Sequence, residues 1–217
     1  HVRSRRQRQM CIRDSGLVAS TEGKKSRAVV DYGIQALKAV WHRGAVDADG
    51  KTGDGAGIHL EIPKDFFIEK IEITGHKFDN TEICVGMIFL PRNNFDAQET
   101  CRTIVESELT KSNFSIYGWR QVPVNPKVLG EKADRTRPEI AQVLFKHNIK
   151  ELSGKNLERK LYETRRKIEN EAIKKSLSGF YICSLSSKSI IYKGMFLAES
   201  ISDFYIDLQD ELSLIHI

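Results

Sequence analysis

His42-Arg-Gly-Ala-Val-Asp-Ala-Asp-Gly-Lys-Thr-Gly-Asp-Gly-Ala-Gly57 is the stretch on which the reading of this chain turns. Upstream of it, Ser26 can cap a helix. The apolar residues Val29, Val30, Ile34, Leu37, Val40 and Trp41 recur at helical spacing. That helix is expected to stop near His42-Arg43-Gly44, where glycine suits the left-handed C-terminal position. Downstream, Ile58–Ile62 alternates as a strand and ends at Pro63. Thr52–Gly57 therefore joins a helix to a strand, and it lacks the Lys-Ser/Thr of a phosphate loop. Two readings stay open: a flexible turn, or close backbone approach at a site, which glycine permits. Arg43 has two readings as well. It can answer the dipole at a helix end, or hold a carboxylate or catalytic loop beside a nucleophile.

Outward from this stretch, strands and helices mix without strict alternation. Gly16–Ser20 reads as the end of a buried strand, and Lys64–Lys70 as a short helix. Glu82–Leu90 is a nearly continuous apolar strand, and Ala97–Lys111 an amphipathic helix. Phe114–Val124 and Glu139–Phe145 read as strands across a Gly/Pro-marked loop, and Leu157–Lys175 as a strongly charged helix with a solvated face. Phe180–Leu185 and Ser189–Lys193 read as a hairpin, followed by a helical turn at Leu197–Tyr205. The class is α+β with a largely antiparallel sheet.

With 217 residues, 40% hydrophobic and 29% charged, the composition is that of a soluble globular protein. No apolar run approaches the roughly 20 residues needed to cross a bilayer. Four cysteines without a C-x-x-C pair point to a reducing compartment, the cytoplasm. A net charge of +5 would suggest nucleic acid, but Arg3, Arg5, Arg6, Arg8 and Arg13 lie in the first fifteen residues. Without those residues, 29 basic face 28 acidic residues, a net charge of +1. Neither a nucleic-acid nor a membrane partner is expected.

The two ends have a common source in the genetic code. Met10–Ser15 can be encoded by ATG TGT ATA AGA GAC AGN, and Leu212–Ile217 by CTG TCT CTT ATA CAC ATC. The second string is the reverse complement of the first with one preceding G, which Gln9 as CAG supplies. A native basic tail and a native apolar C-terminus are the alternative. Residues 1–15 and 212–217 are expected to be adapter-like, leaving residues 16–211 as the natural segment.

Other chemistry-bearing residues read blandly. Asp47, Asp49 and Asp54 lack the closing carboxylate of a calcium loop. His59, His76 and His147 have no metal-ligand spacing, and no metal is expected. Cys84 and Cys183 lie in apolar strands as small core residues, and Cys101 sits on a helix.

Taken in order, Gly16-Leu-Val-Ala, His42–Ala45, Thr52–Gly57, Gly86-Met-Ile-Phe-Leu-Pro91, Gly118-Trp-Arg-Gln-Val-Pro123, the Phe180–Leu185 strand, Ile191-Tyr-Lys-Gly-Met195 and Phe204-Tyr-Ile-Asp-Leu208 resemble the N-terminal glutaminase domain of glutamate synthase large subunits, a class II glutamine amidotransferase. The resemblance implies an N-terminal-nucleophile hydrolase fold, a four-layer αββα sandwich, held here incompletely. It implies a thiolate of an N-terminal cysteine, with the free α-amine as base, attacking the glutamine amide to release glutamate and ammonia. In the whole enzyme, ammonia passes to a synthase region carrying FMN and an iron–sulfur cluster, which converts 2-oxoglutarate to glutamate. Its electrons come from ferredoxin or an NAD(P)H-dependent small subunit. No cofactor is implied within the segment itself.

The family opens Cys-Gly-x-Gly. Setting its second glycine on Gly16 puts the nucleophile at position 13, which holds Arg13. Cys11 is two positions out of register. The resemblance places the glutamine-binding arginine and oxyanion groups beyond Glu211. It leaves Arg43 as a supporting residue, with His42, Gly44, Asp54 and Gly55 in the site loops, and a chain expected to be inactive. Another class II amidotransferase is disfavoured by Thr52–Gly57 and by the long insertion before Phe180. A noncatalytic α+β interaction module is the alternative from a different class.

Overall fold

The computed structural model describes residues 15–21, 26–40, 46–79, 82–149 and 152–209. Ser26 caps helix α1 (Arg27–Ala39), its side chain accepting from the Ala28 amide, and Val40 forms the C-cap. Strand β1 is Ala56–Glu61, two residues earlier than its alternation suggests, and α2 is Lys64–Ile73. Strand β2 (Ile83–Leu90) precedes α3 (Phe95–Lys111), which Asn94 caps through the Ala97 amide. Strand β3 (Phe114–Gln121) gives way before Pro123 to a 3-10 turn at Pro126–Val128 and a short helix α4 (Glu131–Thr136). Strand β4 (Glu139–His147), helix α5 (Gly154–Lys174), β5 (Tyr181–Ser186) and β6 (Ser189–Gly194) follow. Short turns at Ala198–Ser200 and Ile206–Leu208 flank a one-turn helix, α6 (Ile201–Phe204).

All strand pairings are antiparallel, in two sheets ordered β3-β4-β2-β5 and β1-β6. One face of the larger sheet packs Cys84, Ile88, Val143, Phe145 and Ile182 against α3 and α5. The other packs Val85, Met87, Tyr117 and Leu144 with Phe66, Phe67, Ile190 and Tyr192. Residues of α1, α2 and the C-terminal turns join this second cluster. Alternate residues of β2 thus serve different cores, and the whole strand is apolar because both faces are covered.

Three expectations change. Gly16–Ser20 is not a strand: the segment lies beside α1 and β1 with Leu17 exposed, and it has no ladder partner among the described residues. β5 and β6 are consecutive but do not pair; one joins β2 and the other β1. They form a corner between sheets, made by side chains instead of a ladder. The Ser186 hydroxyl accepts from the Lys188 and Ser189 amides, Ser184 accepts from Ile191, and Glu158 accepts from Ser186 and Ser187. The Gly/Pro-marked loop before β4 contains the unforeseen α4, too short to carry a periodic signal.

Leu157, Leu161, Ile168 and Ala172 of α5 face the sheet, the half-buried Arg165 pairs with Glu169 and donates to the Ile182 carbonyl of β5, and Arg159–Glu163 pair along the outer side. That is the expected solvated face. No described helix is long and apolar enough to cross a membrane.

Candidate functional site

The Thr52–Gly57 stretch is an ordered loop held on two sides. Asp47 donates its amide to the Thr52 carbonyl and accepts from Gly50, whose φ of 68° lies in the left-handed region glycine favours. The Asp49 carboxylate caps the turn, accepting from the Lys51 and Thr52 amides and from the Thr52 hydroxyl at 2.6 Å. Those bonds, the Thr52 hydroxyl first, hold its pKa at about 2 against an ordinary 3.8. A bond from Lys132 of α4 at 2.8 Å likewise lowers Asp47. Gly130, just before α4, admits this turn: a Cβ there would collide with the Asp49 carboxylate and the Thr52 hydroxyl.

A folded-state carboxylate held below its unfolded pKa stabilises the fold above that unfolded value, and the contribution is lost as pH falls through the folded pKa. The cap is therefore complete above about pH 4 and lost on approach to pH 2. The Thr52 amide resonance is expected to titrate with a midpoint near 2; a midpoint near 4 would show that Asp49 does not cap the turn.

The other side of the loop lies on the end of β6 and the segment after it. A Cβ on Gly53 would stand 2.6 Å from the Phe196 carbonyl oxygen, and one on Gly57 would stand 2.8 Å from Lys193 Cβ. A backbone does approach Gly53 and Gly57 closely, and it is this chain's own β6–Phe196 segment. Phe196 packs on Phe204, and the Tyr205 hydroxyl donates to the Lys193 carbonyl at 2.8 Å. Beneath them lies a buried polar network absent from the sequence reading. Arg120 of β3 grips Asp207 with two bonds of 2.6 and 2.7 Å and donates to Gln142 of β4 at 2.8 Å. Asp207 is 4% exposed and Gln142 fully buried. Tyr192 lies within 3.5 Å of both Gln142 and Asp207, and burial pushes its phenol and that of Tyr205 upward. Such pairing is what makes a buried charge tolerable. Arg120 and Asp207 lie in two of the stretches that carry the family resemblance, but 87 residues of separation hide their pairing.

Around the start of β1, two grooves meet. One, of about 540 Å³, runs along Asp54–His59 to Phe89, Lys193 and Met195. The other lies between the Ser15–Val18 segment, α1 and β1. Asp54 and Gly55 are exposed at the lip of the first, Gly55 with φ 132°. The structure thus brings the Ser15–Val18 segment and the glycine loop to neighbouring sides of β1. Arg13, His42, Arg43 and Gly44 lie outside the described residues, as does Cys11.

The three described cysteines are free and buried. Burial raises Cys101 and Cys183 to about 11 and Cys84 further, so none is a thiolate near neutral pH. His76 meets Thr74 and the Tyr117 ring, and His147 the Ile149 carbonyl; His59 is exposed on β1. No group of three or more His, Cys, Asp or Glu among the described residues could hold a metal ion.

The family model for class-II glutamine amidotransferases matches residues 14–217. The chain is 55% identical over 196 residues to the glutamate synthase [NADPH] large chain of Azospirillum brasilense, covering 90% of this chain and 13% of the relative. It is 40% identical over 199 residues to ferredoxin-dependent glutamate synthase 1, chloroplastic/mitochondrial, of Arabidopsis thaliana, covering 91% and 12%. For the chloroplastic ferredoxin-dependent enzyme of Spinacia oleracea the identity is 38%, over 90% of this chain and 12% of the relative. The chain spans about an eighth of the length of these curated relatives. It belongs to the class II glutamine amidotransferases.

Proposed function

We propose that residues 16–211 are part of the glutaminase domain of a glutamate synthase, with residues 1–15 and 212–217 adapter-like. The observation that carries the reading is the 55% identity to a glutamate synthase over nine-tenths of the chain. The groove that Gly57 lines together with the Ser15–Val18 segment supports it. We read α3 and α5, the four-stranded sheet, the β1-β6 sheet and α1 as parts of the four layers of an αββα sandwich that this segment holds incompletely. The complete domain would hydrolyse glutamine through an N-terminal cysteine whose α-amine takes the thiol proton. Ammonia would serve the synthase region, where FMN and the iron–sulfur cluster belong, with electrons from ferredoxin or an NAD(P)H-dependent subunit. The free thiols fit a reducing compartment such as the cytoplasm.

The chain itself is expected to be inactive, because position 13 holds Arg13 and the oxyanion donors belong to the sequence after Glu211. Each missing donor costs about 3–4 kcal/mol of barrier lowering. Ammonia release from glutamine decides it across this chain, its Arg13→Cys variant, a longer chain beginning at the native cysteine and extending past Glu211, and that chain with Arg43→Ala. Activity is expected only from the longer chains, weaker with Arg43→Ala. Turnover by the present chain would refute the register, and unchanged turnover in Arg43→Ala would leave that residue as a helix cap.

A further inference from the structure

We propose that the Arg120–Asp207 pair is a latch: it holds the strap of residues 195–209 on the sheet and through it fixes the glycine loop at 46–57. Arg120 and Asp207 are thus positioning residues for that loop. The catalytic meaning of this role rests on the glutaminase reading; the mechanical coupling does not.

The strap has little regular structure of its own. It consists of α6 and two 3-10 turns, none longer than four residues. Its place is set by contacts at separate points. Tyr205 bridges Val124, the Asn125 amide donates to the Phe204 carbonyl at 2.8 Å, and the Ile206 amide to Pro123 at 3.3 Å. Arg27 of α1 donates to the Leu208 carbonyl. Among these contacts the Arg120–Asp207 pair is the bidentate, charge-assisted one, and such bonds are both shorter and stronger than neutral ones. The pair is fixed in turn, because the guanidinium also bonds Gln142 and lies 5.2 Å from the Phe66 ring centre.

From this latch a continuous path of contacts reaches the loop. Asp207 is two residues from Tyr205, which packs edge-on to Phe204 and Tyr192 and holds the Lys193 carbonyl. Lys193 backs Gly57, and Phe196, packed on Phe204, presents its carbonyl to Gly53. A strap lifted from Arg120 therefore removes the Phe196 carbonyl on which Gly53 rests, while Gly57 stays paired with Lys193 in the β1–β6 ladder. The Asp49 cap, the Asp47–Thr52 backbone bond and the exposed Lys132–Asp47 pair then remain as the local supports of the loop. The sheet itself keeps its ladders, because β2 and β4 draw their bonds from each other and from β3 and β5.

The test is backbone amide hydrogen exchange on this chain, read residue by residue, with Asp207→Asn and Tyr205→Phe. Asp207→Asn keeps the shape and removes the charge. Exchange at Asn125 and Ile206 in the strap contacts, and at Asp47 and Thr52 in the loop, is expected to quicken at least about tenfold, while β2 and β4 amides keep their rates. Tyr205→Phe cuts the link to Lys193 but leaves the ion pair, so it should quicken Asp47 and Thr52 more than Asn125. Faster exchange in the strap with unchanged Asp47 and Thr52 would overturn the coupling, and uniform acceleration would reduce the pair to a general stabiliser. Should Asp207→Asn not fold, unchanged loop rates in Tyr205→Phe overturn the proposal alone. No substrate enters the measurement, so a failed ammonia assay leaves the latch standing, and a failed latch leaves the glutaminase reading intact.

Discussion

Replacing Phe145 by alanine is expected to lower the stability of this chain by about 3–5 kcal/mol. The ring is fully buried on the face of the four-stranded sheet that α3 and α5 cover, edge-on to Phe114 at 5.3 Å. Removing it discards its transfer free energy and leaves a cavity between a sheet and two helices, elements too stiff to close it. Total stabilities of domains are about 5–15 kcal/mol, so this is a large share. Urea denaturation should show a lower midpoint with an unchanged slope. Phe95 provides the contrast. It is equally apolar but 78% exposed at the start of α3, and Phe95→Ala should stay within about 0.5 kcal/mol. Equal losses at both positions would show that the helices do not pack on this face.

Gly53→Ala is expected to be the most damaging single-methyl change in the glycine loop. The added Cβ would lie 2.6 Å from the Phe196 carbonyl oxygen and 2.8 Å from its carbon. These are backbone atoms, which cannot rotate aside as a side-chain tip can. The loop or the strap must shift, at a cost of about 1–3 kcal/mol or more, as for other overpacked sites. The φ of Gly53 is not among the left-handed values, so space and not backbone conformation demands glycine. Gly50→Ala is strained in the opposite way, by its positive φ with open space around it. Thermal denaturation of both variants, together with the Thr52 amide shift, separates the two causes. Gly53→Ala should move Thr52 and lower the melting temperature. A Gly53→Ala chain with the native Thr52 shift would mean that the loop does not rest on Phe196.

The elements were legible where local chemistry is strong. Ser26 marks the start of α1, the apolar run up to Leu90 marks a strand, and the charge run along α5 marks its solvated face. These follow from periodicity and capping, which act over a few residues. Gly16–Ser20 shows the limit of that reach: its composition suits a strand, but a strand requires a ladder partner, and no local pattern supplies one. α4 failed in the other direction, being six residues long and set among Gly and Pro.

What the sequence by itself determined is most of the longer elements, the α+β class and the ordered motifs that carry the family resemblance. Both the spacing of apolar residues and the identity of short stretches are properties of neighbours along the chain. Tertiary structure alone decided that β5 and β6 part into different sheets, that Asp49 turns its carboxylate onto Thr52 against Gly130, and that Arg120 meets Asp207. Each of those facts joins residues distant in sequence or a side chain to a particular backbone atom, and its energy depends on distance and burial that no linear pattern encodes. The glycines of the loop show both sides. Their abundance in Thr52–Gly57 is plain in the sequence, but only the approach of Phe196 to Gly53 and of Lys193 to Gly57 shows where a side chain has no room, while Gly55 answers to its φ of 132°.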